Sequence, residues 1–217
     1  SALGLAFGNR LAEARGNVGF DEGLSVFVSD IHVGGTPKVP CYPLRRLKAF
    51  VDEVLRIIPR PRRVISFGDL AYLWGRAEDY ALSKPELKRL EAVGIELVFC
   101  MGNHDRRCEF AKAWPGHLER SPVPGKFVRT VSLGAADLVI LDCLQGTDDR
   151  PLDDSGPDWG KLPKDVAEWV KDELPGRTRP YLLASHFPVN ELKFGGEAEE
   201  LMAPWLLGHS PMCIGYV

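Results

Sequence analysis

Two short segments place metal-binding residue types directly after an apolar stretch. In Asp30-Ile31-His32 one carboxylate and one imidazole can reach the same cation, because alternate residues of an extended chain point the same way. In Gly68-Asp69 the glycine permits a tight turn, and the two carboxylate oxygens can bridge two ions. Each segment taken alone is explained as well by a capped strand end or a common turn.

The tetrapeptide Gly102-Asn103-His104-Asp105 is a much more specific signal. From average residue usage, its chance occurrence in a chain of this length is on the order of one in a thousand. Asn103 offers a neutral carbonyl oxygen to a metal, and His104 can donate a proton or a hydrogen bond to a phosphoryl oxygen. We expect Asp105 to hold the His104 imidazole in the required tautomer.

Two further histidines, His186 and His209, also follow apolar stretches. A single histidine of this kind is more often a partly buried structural imidazole than a ligand. Four of the five histidines nevertheless lie in these segments, and only His117 lies elsewhere. The set as a whole therefore indicates a metal site built from nitrogen and oxygen ligands.

The elements that must position these side chains alternate between strands and helices. Five predicted strands end just before a candidate ligand, at 25–29, 63–67, 95–101, 181–185 and 205–207. A helix is predicted over 44–58, one from a capping box at Ser83 to Gly94, and one around Val166 to Val170. Ligands of layered α/β folds lie beyond the carboxyl ends of strands, so a helix-covered sheet can gather the candidates at one edge.

Composition limits the protein classes. The 217 residues are 45% apolar, which predicts a single domain over 23–217 after an irregular lead-in over 1–22. Net charge −3 and a pI near 6.0 argue against a dedicated nucleic-acid binder. No apolar run approaches the about 20 residues of a membrane span, and we expect no signal peptide. Five irregularly spaced cysteines are typical of reduced thiols, so we expect a cytoplasmic protein.

The order of these motifs resembles the calcineurin-like metallophosphoesterase family from about residue 24 to the end of the chain. It looks most like the cyclic-nucleotide-phosphodiesterase branch. The features shared with that branch are Asp69-Leu70 before a Glu78-Asp79-Tyr80 helix, Arg106-Arg107 after the tetrapeptide, an aromatic helix to Trp114-Pro115, Leu141-Asp142, a Trp169 helix and His186-Phe187-Pro188. The resemblance implies an α/β fold of four layers, with two mixed β-sheets packed face to face and flanked by helices.

The resemblance also implies a role for each candidate. Asp30 and His32 would bind a first metal, Asp69 would bridge both metals, and the second would be bound by Asn103, His186 and His209. His104 would stabilise the transition state or protonate the leaving oxygen, with Asp105 behind it. The implied reaction is hydrolysis of a small phosphorylated substrate, a phosphomonoester or phosphodiester, by a hydroxide activated by two divalent ions. Mn, Fe, Zn and Ni all suit such ligands.

The chain departs from the family at one motif. The family usually has Gly-His-x-His where this chain has Gly208-His209-Ser210-Pro211, and proline cannot ligate. The chain also ends eight residues after His209, where the family normally adds strands. Three explanations are open: the first metal has fewer ligands, a water or Cys213 replaces the missing one, or a segment near the end is absent.

Two other functions compete with a small-molecule phosphoesterase. A nuclease of the same fold is disfavoured by the acidic pI and the absence of a capping domain, although a metal pair can supply positive charge. A binding scaffold of the same fold that has lost catalysis is favoured by Pro211 and opposed by the retained His104 and Asp105. The sequence determines neither the oligomeric state nor the metal.

Overall fold

Two β-sheets form the centre of the computed structural model, which describes residues 19–35, 42–144, 162–188, 192–194 and 201–217. The first sheet is parallel, with strands β1 (Phe20–Val28), β2 (Arg60–Ser66) and β3 (Glu96–Phe99) in that order. The second contains β4 (Arg129–Ser132), β5 (Asp137–Ile140), β6 (Tyr181–Ala184) and β7 (Cys213–Tyr216), also in chain order. It is mixed, because β4 and β5 pair antiparallel and the later pairs are parallel.

The helices cover the outer faces of these sheets. They are α1 (Tyr42–Arg56), α2 (Ala77–Glu91), α3 (Arg107–Ala113), α4 (Lys164–Glu173) and α5 (Met202–His209), with a 3-10 turn at Leu118–Arg120. One apolar cluster joins α1, α2 and α3 to the first sheet, and a second joins α4 and α5 to the second sheet. A third lies between the sheets, with Ile65 and Val98 on one side and Leu138 and Ile140 on the other. The predicted four-layer α/β fold is confirmed, although the described first sheet is parallel and not mixed.

Helix α2 begins six residues before the predicted start at Ser83. Its first turn is capped by Asp79, whose carboxylate accepts a hydrogen bond from the backbone N–H of Arg76 at 3.2 Å. Ser83 is fully buried in the helix, and its hydroxyl donates to the Tyr80 carbonyl at 3.1 Å. The capping-box prediction at Ser83 was therefore wrong, because Pro85 is accommodated inside the helix and does not mark its beginning.

The stretch 205–207, predicted as a strand, lies within helix α5. Its buried residues are Met202, Trp205 and Leu206, which recur at the spacing of one helical face. Strand β1 also differs from its prediction, since it begins at Phe20 rather than Ser25 and so includes part of the predicted lead-in. The rest of that lead-in, 1–18, lies outside the described residues. None of the helices in the described part of the chain is long and apolar enough to cross a membrane.

A buried ion pair connects the two sheets near the ends of their strands. Arg107, at the start of α3, donates from Nε to Asp142 Oδ2 at 2.7 Å and from Nη2 to Asp142 Oδ1 at 2.8 Å. Asp142 follows β5, is fully buried, and also accepts the backbone N–H groups of Phe127 and Leu144. Since every oxygen of the carboxylate is hydrogen-bonded, the pair fixes α3 against the second sheet.

We predict that Asp142→Ala destabilises the fold by about 3–5 kcal/mol, because it leaves a buried guanidinium without its carboxylate. The matched control is Arg89→Met, which breaks the Arg89–Asp52 pair, whose side chains are 42% and 46% exposed, and also the Arg89–Glu86 pair within α2. That change should cost less than about 1 kcal/mol. Urea denaturation of both variants measures the two losses. Equal losses would contradict the structural role assigned to the buried pair.

The loops after β2 and β3 approach each other so closely that only glycine fits at two positions. Gly68 has φ +98°, and a Cβ there would lie 2.7 Å from the Gly102 nitrogen and 2.8 Å from His186 Nδ1. A Cβ on Gly102 would overlap the carboxylate and the backbone nitrogen of Asp69. These two glycines therefore allow the Asp69 and Asn103 segments to come together.

We predict that Gly102→Ala pushes the Asp69 loop away from β3 and costs about 1–3 kcal/mol or more through overpacking. Gly176→Ala is the control, because its nearest neighbour would be the Glu173 carbonyl oxygen at 4.0 Å. Thermal denaturation compares the two variants. A Gly102→Ala protein as stable as Gly176→Ala would show that the loop contact is not tight.

Candidate metal centre

The carboxylate of Asp69 is the point on which the predicted site residues converge. Asp69 directly follows the β2–Gly68 turn and is 2% exposed. Three imidazoles from three other loops place Nε2 near its Oδ2: His186 at 3.5 Å, His32 at 3.6 Å and His104 at 3.9 Å. The other oxygen, Oδ1, accepts the backbone N–H of His104 at 2.9 Å.

Asp30 and Asn103 extend this arrangement on either side. Asp30 Oδ1 lies 3.6 Å from His32 Nε2, and Asn103 Oδ1 lies 3.0 Å from His186 Nε2. Two overlapping groups have ligand atoms within 4.8 Å of one another, namely Asp30, Asp69, His186 and His32, Asp69, His104. The structure thus brings together six predicted residues with metal-ligand atoms, and Asp69 belongs to both groups.

Backbone carbonyls determine the tautomers of the three imidazoles. Nδ1 lies 3.3 Å from the Tyr72 carbonyl oxygen in His32, 3.1 Å from that of Leu73 in His104, and 2.7 Å from that of Phe67 in His186. Because a carbonyl only accepts, each Nδ1 carries the proton in the neutral ring, and each Nε2 presents its lone pair toward Asp69. This is the orientation that a metal-binding histidine requires.

Backbone strain is concentrated at the same residues. Within the described chain, three residues other than glycine have a positive φ: Asp30 (55°), His32 (49°) and Asp69 (52°). Left-handed backbone costs such residues about 1–3 kcal/mol each and persists only where surrounding contacts enforce it. Here backbone hydrogen bonds do so, from Asp30 N–H to the Gly68 carbonyl at 3.2 Å and from His32 N–H to the Asp69 carbonyl at 2.8 Å.

The hydrogen bonds of Asp105 differ from the prediction. Its carboxylate accepts the backbone N–H groups of Gly102, Ala71 and Leu70 at 3.1–3.4 Å and the Tyr80 hydroxyl at 3.0 Å. The partner of His104 Nδ1 is instead the Leu73 carbonyl. The predicted Asp105–His104 contact was wrong, because the buried Asp105 lies under the loops and not beside the imidazole. Asp105 therefore ties the Asp69 loop to the Asn103 loop.

The pKa values of Asp105 and Tyr80 agree with a position of Asp105 beneath the two loops. Burial raises the pKa of Asp105 to about 6, the hydrogen bond from Gly102 lowers it, and the nearby Asp69 charge raises it. Burial also raises the pKa of the Tyr80 phenol, so its hydroxyl remains a donor to Asp105. Neither Tyr80 nor the carbonyls of Tyr72 and Leu73 were among the predicted site residues. A backbone carbonyl leaves no signal in the sequence, and Tyr80 is indistinguishable there from any buried helix residue.

His209 lies outside both groups of converging ligands. It ends helix α5, its Nδ1 lies 2.9 Å from the Trp205 carbonyl oxygen, and its ring stacks on Trp205 with centroids 4.9 Å apart. Cys213, the other residue considered as a replacement ligand, belongs to β7 and donates to the Gly215 carbonyl at 3.6 Å. Burial raises the pKa of this thiol, which disfavours the thiolate that metals bind. The structure does not bring either side chain to Asp69.

Comparisons with known proteins identify the family of this chain. Residues 25–212 match the calcineurin-like phosphoesterase family. A probable cyclic nucleotide phosphodiesterase of Rhodopseudomonas palustris is 41% identical over 103 residues, which are 47% of this chain and 35% of that protein. The match therefore spans about a third of the length of this curated relative.

A solved structure of a protein of unknown function from Aquifex aeolicus aligns over 89% of this chain and 88% of its own, with 14% identity and a TM-score of 0.39. The family match carries the assignment, since it spans residues 25–212 and thus most of the chain. On that evidence, the chain belongs to the calcineurin-like phosphoesterase family.

Proposed function

We propose that the protein hydrolyses phosphate esters with two divalent metal ions held around Asp69. The observation that carries the proposal is the convergence of three imidazole Nε2 atoms within 3.5–3.9 Å of one buried carboxylate oxygen. A buried carboxylate surrounded by lone pairs is poorly satisfied without a cation. A structural role alone would not account for this arrangement of acceptors.

The donor set fits divalent metal ions. With metal–ligand bonds of about 2.0–2.2 Å, neighbouring ligand atoms of one ion lie about 3.0–3.5 Å apart. The Asn103–His186 separation is 3.0 Å and those from Asp69 Oδ2 to His186 and His32 are 3.5 and 3.6 Å, so small adjustments suffice. As the family resemblance implies, Asp30, His32 and Asp69 would hold one ion and Asp69, Asn103 and His186 the other. In the structure the ligand atoms instead group Asp30 with Asp69 and His186, and His32 with Asp69 and His104, so this division requires the side chains to shift.

Such a metal pair supplies an activated water and offsets the charge of the phosphoryl oxygens. The nitrogen and oxygen ligands suit Mn, Fe, Zn or Ni and do not select one of them. On the side of the second ion, Asn103 and His186 complete the set without His209. We assign His209 no role in the site, because it lies outside both groups of converging ligands.

We assign His104 to proton transfer at the leaving oxygen. Its side chain is 22% exposed, so a substrate can reach it. Exposure alone does not distinguish it from His32, which is 30% exposed and which the family resemblance assigns to a metal. The Leu73 carbonyl fixes its Nδ1–H, which leaves Nε2 as the group that takes up and delivers a proton. The His32 ring meets it edge to face with centroids 5.0 Å apart, which limits its rotation.

We further propose a small phosphodiester as the substrate. The curated relative from Rhodopseudomonas palustris is named a probable cyclic nucleotide phosphodiesterase, and the net charge of −3 disfavours a long nucleic acid. The scaffold alternative is supported by the position of His209 outside the ligand groups. It predicts metal binding without turnover, so a kinetic assay separates the two functions.

The test is hydrolysis of bis(p-nitrophenyl) phosphate during a Mn²⁺ titration of wild type and His104→Ala. We expect His104→Ala to lower kcat about 10²–10⁴-fold at saturating Mn²⁺, because general acid help is lost. Metal content by elemental analysis should be unchanged. His117→Phe is the control, since His117 packs on Phe99 and Trp114 away from the site and a phenyl ring preserves those contacts.

Two results would count against the proposal. If His104→Ala loses metal together with activity, His104 is a ligand and not the proton donor. If wild type hydrolyses neither p-nitrophenyl monoesters nor diesters at saturating Mn²⁺, the scaffold function replaces the enzymatic one.

A further inference from the structure

A cavity of about 250 Å³ adjoins the candidate metal centre. One wall is the segment 28–32, which carries Asp30 and His32, and the other is the first part of helix α1. Nine of the residues that the structure describes line it: Val28, Ser29, Asp30, Ile31, His32, Pro43, Arg46, Leu47 and Phe50. A group in this cavity would therefore lie beside two of the proposed metal ligands.

The α1 wall is formed by one face of the helix. Pro43, Arg46, Leu47 and Phe50 are spaced by three, one and three residues, which places them on a single stripe. Leu47 is 2% exposed and packs in the core, while Phe50 is partly buried against the same cluster. The wall is thus apolar and fixed by the core behind it.

Among the lining residues within the described part of the chain, Arg46 is the one permanent cation. Arg46 is exposed to solvent. A guanidinium stacks on aromatic rings and donates several hydrogen bonds in a fixed plane. An apolar wall with Arg46 at its edge therefore favours a flat aromatic group that carries hydrogen-bond acceptors.

We propose that this cavity, the α1 pocket, binds the ester group of a phosphodiester that is not displaced, and that it prefers an aromatic group with acceptor atoms. The inference rests on the proposed function. In the reaction, water oxygen bonds to phosphorus, the bond to the leaving oxygen breaks, and that oxygen takes up a proton. The second ester bond stays intact, and its group remains in the pocket.

The size of the pocket agrees with this division of the substrate. Pockets that enclose a whole drug-sized ligand measure about 300–1,000 Å³, so 250 Å³ suits only part of one. A monoester has no second ester group to place there. The α1 pocket would therefore make diesters with an aromatic group better substrates than diesters with a small alkyl group.

The experiment compares bis(p-nitrophenyl) phosphate with methyl p-nitrophenyl phosphate, which share a leaving group and differ in the group that stays. The measured quantity is kcat/KM for bis(p-nitrophenyl) phosphate divided by kcat/KM for methyl p-nitrophenyl phosphate. We expect Phe50→Ala and Arg46→Met each to lower this ratio about 10-fold, the scale on which apolar pockets discriminate. The controls are Leu55→Ala, a partly buried leucine of α1, and Arg45→Met, both outside the pocket lining. Neither control should change the ratio more than about twofold.

Binding of diphenyl phosphate, measured by calorimetry, makes the same comparison without turnover. Weaker binding to Phe50→Ala than to Leu55→Ala supports the pocket even if no diester is hydrolysed, in which case the proposed function fails alone. An unchanged kcat/KM ratio in active Phe50→Ala and Arg46→Met proteins overturns the pocket while the proposed function stands. Equal diphenyl phosphate binding to Phe50→Ala and Leu55→Ala overturns the pocket as well.

Discussion

The close approach of four loops around the buried Asp69 carboxylate is the constraint on which the site depends. Two glycines permit it, since a Cβ on Gly68 or Gly102 would collide with the neighbouring loop. The backbone is left-handed at Asp30, His32 and Asp69, three residues of the site. Such strain persists only where the surrounding structure is rigid. The hydrogen bonds that Asp105 accepts from Gly102 and Ala71 hold the Asn103 and Asp69 loops together and provide that rigidity.

The layered fold supplies the rest of that rigidity. Parallel strands β1, β2 and β3 end at one edge, and β6 brings His186 to the same edge from the second sheet. The position of the second sheet is therefore as important as that of the first. The buried Arg107–Asp142 pair fixes it directly beside the site, because Arg107 follows the Asn103 loop by only a few residues. The buried pair that holds the second sheet in place therefore also helps to position the site residues.

Much of this arrangement could be predicted from local sequence, because an apolar strand followed at once by Asp, Asn or His is a short-range pattern. The six converging residues follow from it, whereas the four layers were implied by the resemblance to the metallophosphoesterase family. Three features could not be predicted in this way. A run as short as 205–207 fits a strand or a buried helix equally. Helix α5 was therefore predicted as a strand, and His209 was expected just after a strand although it ends the helix. Pro85 lies inside α2, whose buried residues include Tyr80 and Ser83, so the signal at Ser83 does not mark the start of a helix. The carbonyl that orients His104 belongs to Leu73. Every residue has a backbone carbonyl, so the residue type cannot predict which one accepts this hydrogen bond.

The central claim is that Asp69 organises a metal centre with Asn103, His186, Asp30 and His32. The most direct measurement is anomalous diffraction at the manganese edge from crystals grown with Mn²⁺. The account predicts two anomalous peaks, each about 2.0–2.3 Å from an oxygen of Asp69, one on the side of Asp30 and His32 and one on the side of Asn103 and His186. Manganese bound elsewhere, with no peak at Asp69 under saturating Mn²⁺, would contradict it.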